Sequence, residues 1–243
     1  MGGVAMLPAV VLAGGLGTRL RSIAGDLPKP MVPVGGRPFL EYLIEYLRAQ
    51  GVRRVILSVC YRAEVVERHF GSGGAHGVEI RYSREPEPKG TAGALRYAAE
   101  LVQDSTWLVM NGDSFVFADL EAMLAFHERV GAQVTLALAE VADSSRFGRV
   151  QVGSDGAIER FREKSQGGPG LVNAGIYLVE RRVVCSMRSG ATSLEREVFP
   201  SLVGCGVYGF EVEGPLLDIG TPEEYLRVAE NPRLLTAWRE ERR

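Results

Sequence analysis

Short runs of apolar and β-branched residues alternate with helical patterns in the first half of the chain. The short runs predict buried strands, at residues 9–13, 55–59, 78–82 and 107–110. Apolar positions at helical spacing predict helices, at residues 39–50, 63–70, 92–102 and 120–130. Strands separated by helices of this length favour right-handed crossovers and a mainly parallel sheet that is covered on both faces.

The second half of the chain is richer in strands. They are predicted at residues 133–139, 149–152, 158–162, 172–179 and 207–212. A charged surface helix is expected from Pro222. No Pro/Ser-rich linker divides the halves, so we predict a single domain over residues 1–243, with halves at about 8–113 and about 114–230. The predicted fold class is α/β, a Rossmann-like three-layer α/β/α sandwich with a mainly parallel, mixed sheet.

The composition is that of an ordinary globular protein without a strong charge bias. Of the 243 residues, 46% are hydrophobic and 24% are charged, and the net charge is −2. Neither nucleic acid nor a membrane surface is therefore predicted as a partner. Three scattered cysteines without a CxxC pair, and an N-terminal segment without signal-peptide features, lead us to expect a reduced, cytoplasmic protein.

A glycine-rich segment, LAGGLGTRL at residues 12–20, directly follows the first predicted strand. Ligands of open α/β sheets bind beyond the carboxyl ends of the strands, and glycines let backbone N–H groups approach a phosphate closely. Arg19 and Lys29 add cations suited to a polyphosphate. No Walker A string is present, and a dinucleotide fingerprint would need glycine where Leu20 stands, which disfavours an NAD-dependent oxidoreductase. The alternative is a strand–helix turn with a surface arginine.

GGLGTRL and PKPMVPVGGRP together resemble the signature of sugar-1-phosphate nucleotidylyltransferases. The resemblance continues through GTAGAL, NGDS, VNAGIY and LLDIGTPEEY. It implies the nucleotide-diphospho-sugar transferase fold, a nucleotide-binding first half and a sugar-binding second half. It also implies a reaction that joins a nucleoside triphosphate to a sugar 1-phosphate and releases pyrophosphate. Matched by motif, the triphosphate roles fall on Gly14, Gly15, Gly17, Arg19 and Lys29, of which Arg19 and Lys29 are also catalytic. Leu12 and Thr18 are assigned to nucleotide binding.

Two aspartates match the family's metal-binding positions. Asp113 follows the predicted strand at 107–110, at the same sheet edge as the glycine-rich loop, and Asp218 also follows an apolar stretch. Bringing two polyanions together requires their charge to be neutralised, and Mg²⁺ typically takes only one or two protein carboxylates. The resemblance therefore implies Mg²⁺ at Asp113 and Asp218, with Asp113 catalytic. Taken singly, each aspartate could instead be a helix cap or a turn residue.

The segment SREPEPKGTAGA at residues 83–94 resembles the family's base-binding loop, which assigns Glu85, Gly90 and Thr91 to the nucleotide. Glu85 stands where pyrimidine-using relatives typically carry glutamine. An ionised carboxylate can accept from the N1–H and 2-amino groups of guanine, whereas it would be repelled by a uracil carbonyl. Because a mismatched polar group costs about 1–3 kcal/mol, we predict GTP as the nucleotide. The alternative is that Glu85 is a solvated loop charge.

Glu163-Lys164 resembles the family's EKP motif, with Ser165 in place of proline. The resemblance assigns the sugar phosphate to Lys164, as a catalytic residue, and sugar hydroxyls to Glu163. It also places three further residues at the sugar pocket, namely Asn111, Gly148 and Asn173. Without the resemblance, this segment would be an ordinary charged strand edge.

The pattern as a whole is most similar to D-glycero-α-D-manno-heptose 1-phosphate guanylyltransferases, and mannose 1-phosphate guanylyltransferases share most of the motifs. The predicted partners are GTP and a sugar 1-phosphate, and the resemblance is compatible with a homodimer. A pyrimidine-specific hexose-1-phosphate uridylyl- or thymidylyltransferase is the near alternative. A non-catalytic nucleotide-sensing protein is a different class, which the presence of both cations and both aspartates disfavours.

Overall fold

A nine-stranded mixed sheet forms the centre of the computed structural model, which describes residues 3–4, 7–20, 23, 25–162, 167–188, 190 and 192–241. The strands are β1 (Pro8–Leu12), β2 (Arg54–Val59), β3 (Glu79–Arg84), β4 (Thr106–Asn111), β5 (Val134–Val141), β6 (Arg149–Val152), β7 (Ile158–Arg162), β8 (Gly170–Glu180) and β9 (Val207–Val212).

The first four strands are parallel to one another, in the order β3-β2-β1-β4. β1 lies at its centre, with Val10 opposite Ile56 on one side and Val109 on the other. β8 then pairs antiparallel with both β4 and β5, and β9 pairs parallel with β5. The β6–β7 hairpin joins the sheet through β8. One continuous sheet thus connects the two halves of the chain.

Helices flank the sheet and connect its strands. They are α1 (Phe39–Ala49), α2 (Ala63–Phe70), α3 (Gly90–Ala98), α4 (Leu120–Val130), α5 (Arg181–Ser186), α6 (Phe199–Ser201), α7 (Pro222–Glu230) and α8 (Trp238–Glu241). A π-helical turn at Leu194–Val198 precedes α6, and 3₁₀ turns lie at Thr18–Leu20, Lys29–Met31, Gly74–His76 and Pro232–Leu235. None of the described helices is long and apolar enough to span a membrane.

Side chains of β1 point alternately into two buried clusters. Ala9 and Val11 pack with residues of α1, α2, α4 and α7 on one face, and Val10 packs with residues of α3, α5 and α6 on the other. Full burial of one valine side chain contributes about 1.5–3 kcal/mol, so burial on both faces strongly favours this alternation. The predicted three-layer α/β/α sandwich is confirmed.

Among the boundaries that differ from the predictions are those of β3 and α3, and two short ladders were not predicted. β3 continues to Arg84 because its parallel pairing with β2 continues to Val59. α3 begins at Gly90 and ends at Ala98, where the chain turns and Leu101 N–H donates to the Ala98 carbonyl at 2.9 Å. Two ladders of two-residue strands, Pro33–Val34 with Arg37–Pro38 and Ser114–Phe115 with Leu217–Asp218, carry no periodicity from which they could be predicted.

Candidate active site

The carboxyl ends of β1 and β4 meet at one rim of the sheet, where Leu12 lies opposite Asn111. Just beyond, Gly112 N–H donates to the Leu12 carbonyl at 3.0 Å. A Cβ at position 112 would lie only 2.7 Å from that oxygen. Glycine is therefore needed at this position for Asp113 to leave β4 so close to the glycine-rich loop.

A short antiparallel ladder brings the second aspartate to the same rim. Asp218 pairs with Ser114, and Ile219 N–H donates to the Asp113 carbonyl at 3.0 Å. The two aspartates, which lie far apart in sequence, thus become neighbours. The structure brings together the two residues that were predicted as metal ligands.

Lys29 makes an ion pair with both aspartates. Its Nζ lies 2.6 Å from Asp113 Oδ2 and 4.0 Å from Asp218 Oδ1, and its side chain is only 14% exposed. Gly17, in the left-handed region at φ 60°, lies so close that a Cβ there would be 3.0 Å from Lys29 Cβ. The glycine-rich loop therefore packs directly on the lysine that neutralises the two carboxylates.

The carboxylate of Asp218 is partly buried and close to a second negative charge. Burial raises the pKa of Asp218 most strongly, Lys29 lowers it, and the nearby negative charge of Asp113 raises it. Carboxylate oxygens are hard ligands of the kind that bind divalent metal ions, which can draw further ligands from substrate and water. Among the described residues, no group of three or more His, Cys, Asp or Glu side chains could hold a metal. Two carboxylates fit such a substrate-assisted site.

Arg146 approaches one carboxylate oxygen of Asp218 and Lys29 the other, and Arg146 was not among the predicted site residues. Its Nη2 lies 3.4 Å from Asp218 Oδ2, and its Nη1 lies 2.9 Å from Glu224 Oε1 on α7. The only available signal was its position two residues before Gly148, which the family resemblance assigned to the sugar pocket. Arg146 links the candidate metal ligand to a surface helix.

A cleft of about 780 Å³ opens at this rim. Seven predicted site residues line it, namely Arg19, Lys29, Asn111, Asp113, Gly148, Asn173 and Asp218. Further lining residues were not predicted, among them Ser114, Glu195 and Arg196. The cleft thus brings residues of the predicted phosphate, metal and sugar sites into one concave space.

Glu85 does not line this cleft. Its side chain is buried, with 5% exposed, so the alternative of a solvated loop charge is wrong. Oε1 accepts from Ser58 Oγ at 3.2 Å, and Oε2 accepts from Lys89 N–H at 3.1 Å. Burial raises the pKa of Glu85, while these hydrogen bonds and the charge of Lys89 lower it. A Cβ at Gly14 would lie 3.4 Å from Oε1, so the carboxylate lies beside the glycine-rich loop. The guanine contact stays a prediction.

Gly90 and Thr91 join the start of α3 to residues 192–195. Gly90 has φ 70°, and a Cβ there would lie 2.1 Å from the Thr192 carbonyl oxygen. Thr91 Oγ1 donates to Glu195 Oε2 at 2.8 Å and accepts from Leu194 N–H at 2.9 Å. Both residues therefore have structural partners, and their predicted nucleotide contacts stay untested.

The remaining predicted residues divide into two groups. In the glycine-rich loop, a Cβ at Gly15 would meet nothing within 4 Å, so its backbone borders open space, and Thr18 begins a 3₁₀ turn. Glu163 and Lys164 lie outside the described residues.

A family model described as nucleotidyl transferase matches residues 8–233. The chain belongs to this family. Members generally use a divalent metal ion, in keeping with the paired carboxylates at the rim.

Curated relatives of this nucleotidyl transferase include two guanylyltransferases. This chain is 41% identical over 224 residues to mannose-1-phosphate guanylyltransferase of Mycobacterium tuberculosis, and the match covers 90% of this chain and 62% of the relative. It is 37% identical over 221 residues to D-glycero-alpha-D-manno-heptose 1-phosphate guanylyltransferase of Aneurinibacillus thermoaerophilus, covering 90% of this chain and 95% of the relative.

Among solved structures, HddC from Yersinia pseudotuberculosis has a TM-score of 0.83 and 33% identity, with 93% of this chain and 99% of that chain covered. The same protein has been solved in complex with GMP-PN, with a TM-score of 0.81. The nucleotidyl transferase fold therefore extends over nearly the whole chain.

Proposed function

We propose that this nucleotidyl transferase moves GMP from GTP to a sugar 1-phosphate and releases pyrophosphate, with D-glycero-α-D-manno-heptose 1-phosphate as the preferred acceptor. The observation that carries the proposal is the convergence of Lys29 on Asp113 and Asp218, in a cleft of about 780 Å³ that Arg19 also lines. The heptose acceptor is supported by the A. thermoaerophilus relative, of which the chain covers 95%.

Mannose 1-phosphate is the second candidate acceptor. The M. tuberculosis relative named for it has the higher identity, 41%, but the chain spans only 62% of its length. The two sugars share the manno configuration of the ring, so the same ring contacts would serve both. Discrimination between the heptose and mannose 1-phosphates would then depend on contacts with the exocyclic carbons of the sugar.

Charge neutralisation and positioning account for the chemistry. In the proposed reaction, an oxygen of the sugar 1-phosphate attacks the α-phosphorus of GTP, and the bond from that phosphorus to the departing pyrophosphate breaks in line. The attacking phosphate is already ionised, so no strong general base is required. Arg19 and Lys29 would bind the triphosphate, and Lys164 would bind the incoming phosphate. Holding both reactants in one cleft supplies orientation.

A Mg²⁺ ion held by Asp113 and Asp218 would supply further neutralisation of the phosphate oxygens and stabilise the in-line transition state. Lys29 limits the repulsion between these carboxylates, since its Nζ contacts both. Arg146 contacts the second oxygen of Asp218 at 3.4 Å. The basic residues would thus keep the carboxylates in place around the cation site.

Guanine selection is proposed to rest on Glu85. A carboxylate offers about four lone-pair sites, and in Glu85 one hydrogen bond from Ser58 and one from Lys89 occupy two of them. The remaining sites can accept from guanine N1–H and its 2-amino group. The GMP-PN complex of HddC, which is 32% identical to this chain, supports a guanine nucleotide.

A substrate panel tests the proposed function. Pyrophosphate release is measured with Mg²⁺ for GTP, ATP, CTP, UTP and dTTP, each with heptose, mannose and glucose 1-phosphates. We expect the highest kcat/KM for GTP with the heptose 1-phosphate. A maximum with UTP or dTTP would support the pyrimidine-specific alternative. GTP binding without pyrophosphate from any pair would support a nucleotide-sensing protein.

A further inference from the structure

Three polar side chains of the cleft form hydrogen bonds with one buried group, the phenol hydroxyl of Tyr177. Asn173 Nδ2 donates to this oxygen at 2.9 Å and Asn111 Nδ2 at 3.4 Å. The hydroxyl in turn donates to Glu195 Oε1 at 3.2 Å. Tyr177 has no exposed surface, whereas Asn111, Asn173 and Glu195 all line the cleft. Tyr177, which does not line the cleft, thus connects three residues that do.

An irregularity in β8 creates this arrangement. The pairing of β8 with β5 shifts between Asn173 and Tyr177. Gly175 lies within the shift at φ 80°, and a Cβ there would lie 2.7 Å from Ser114 Oγ and 3.0 Å from Asn111 Nδ2. Glycine therefore lets β8 pass close to the end of β4, so that amides from the two strands reach the same phenol.

The hydrogen bonds determine which way each amide points. Burial, followed by the negative charge of Glu195, raises the pKa of Tyr177 well above its usual value, so the phenol keeps its proton. The phenol uses this proton to donate a hydrogen bond to Glu195. Its oxygen can therefore only accept hydrogen bonds from any other neighbour. The NH₂ groups of Asn111 and Asn173 must therefore face the phenol, and their carbonyl oxygens face away.

The two carbonyl oxygens then differ in their partners. Asn173 Oδ1 accepts from Gly175 N–H at 2.9 Å. Asn111 Oδ1 is buried and has no hydrogen-bond partner among the described residues. A buried acceptor without a donor is unfavourable. In a cleft for a polyol substrate, the ligand itself can supply that donor.

We propose that Tyr177 and Glu195 are positioning residues that hold Asn111 Oδ1 as the acceptor for one hydroxyl group of the sugar 1-phosphate. This inference rests on the proposed function, because it assigns the hydroxyl to the acceptor sugar. Glu195 is itself anchored, since Thr91 Oγ1 and Ser193 Oγ donate to its other oxygen at 2.8 and 3.1 Å. The network therefore also connects the start of α3 to the sugar pocket.

The test compares Tyr177→Phe with Tyr46→Phe. Tyr46 is an equally buried tyrosine whose hydroxyl donates to the Ala118 carbonyl, within the cluster that packs α1 and α4. For each protein, kcat/KM with GTP is measured for mannose 1-phosphate and for each of its monodeoxy analogues. Wild type should use one analogue about tenfold less efficiently than the parent sugar.

In Tyr177→Phe, kcat/KM for the parent sugar should fall about tenfold, and the variant should no longer discriminate against that analogue. Its KM for GTP should change less than about twofold. Tyr46→Phe should keep the discrimination even if its melting temperature falls. Full discrimination in Tyr177→Phe, or none in wild type, would overturn the proposal.

Two variants at Glu195 separate hydrogen bonding from packing. Glu195→Gln keeps an acceptor for the phenol and should retain the discrimination, whereas Glu195→Leu removes the acceptor and should lose it. Equal behaviour of the two variants would contradict the positioning role.

Calorimetric binding of mannose 1-phosphate and its analogues is measured on the same proteins. Discrimination in binding without any pyrophosphate release would refute the proposed turnover and still support the positioning role. Absence of both binding and turnover would overturn both.

Discussion

Replacing Asp113 by asparagine removes one negative charge from the rim while keeping the side chain's size. The carboxylate lies 2.6 Å from Lys29 Nζ and helps to raise the pKa of Asp218. Two effects follow, one on folding and one on catalysis, and the structure indicates that they differ greatly in size.

The effect on folding should be small. The Asp113 side chain is 40% exposed, so solvent screening limits its ion pair with Lys29 to about 0–1 kcal/mol. The asparagine also relieves repulsion of Asp218, which offsets part of this loss. The effect on catalysis should be large, because metal-assisted charge stabilisation contributes several kcal/mol. A loss of about 3–4 kcal/mol corresponds to about 100- to 1,000-fold in kcat/KM.

Pyrophosphate release is followed as a function of Mg²⁺ concentration, and thermal unfolding is measured on the same preparations. Asp104→Asn is the matched control, because Asp104 precedes β4 at its other end and pairs with Arg54 at 2.8 Å. The control should keep its kcat/KM within about threefold. If Asp113→Asn also kept wild-type kcat/KM at every Mg²⁺ concentration, Asp113 would not be a metal ligand.

Three further predictions follow from other parts of the molecule. Glu85→Gln should lower kcat/KM for GTP about tenfold and raise the use of UTP or dTTP, and an unchanged nucleotide panel would refute the guanine assignment. Gly112→Ala should destabilise the fold by about 1–3 kcal/mol, because its Cβ would lie 2.7 Å from the Leu12 carbonyl oxygen. Gly74→Ala is the control, because a Cβ there would meet nothing within 4 Å. The melting temperature should fall for Gly112→Ala and stay unchanged for Gly74→Ala. Burial lowers the pKa of His127, so the folded state binds its proton less readily than the unfolded state. The contribution of neutral His127 to the free energy of unfolding should be fully present above the unfolded pKa of about 6.5 and should decrease as the pH falls below it. The free energies of unfolding of wild type and His127→Gln, measured by urea titration, should therefore converge toward lower pH.

Local patterns were sufficient to predict the framework of the fold. Strands that are buried on both faces of the sheet appear in the sequence as short apolar runs, and the helices between them appear as apolar positions at helical spacing. Each of these two signals lies within about ten consecutive residues. The predicted helices at 63–70 and 120–130 coincide with Ala63–Phe70 and Leu120–Val130. The glycine-rich loop was also visible, because its backbone requirements are written in consecutive residues.

The candidate site depends on contacts between residues that are distant in sequence. A two-residue ladder brings Asp218 beside Asp113, and such a short pairing leaves no periodic signal. The burial of Glu85 and the convergence of amides on Tyr177 follow from how strands pack at one rim, since a glutamate in a Pro-rich loop or a tyrosine in a strand has no distinctive local pattern. Local sequence therefore determined which elements form and which chemical groups are present. Tertiary structure decided which of those groups meet, because hydrogen bonds and ion pairs act only over a few ångströms.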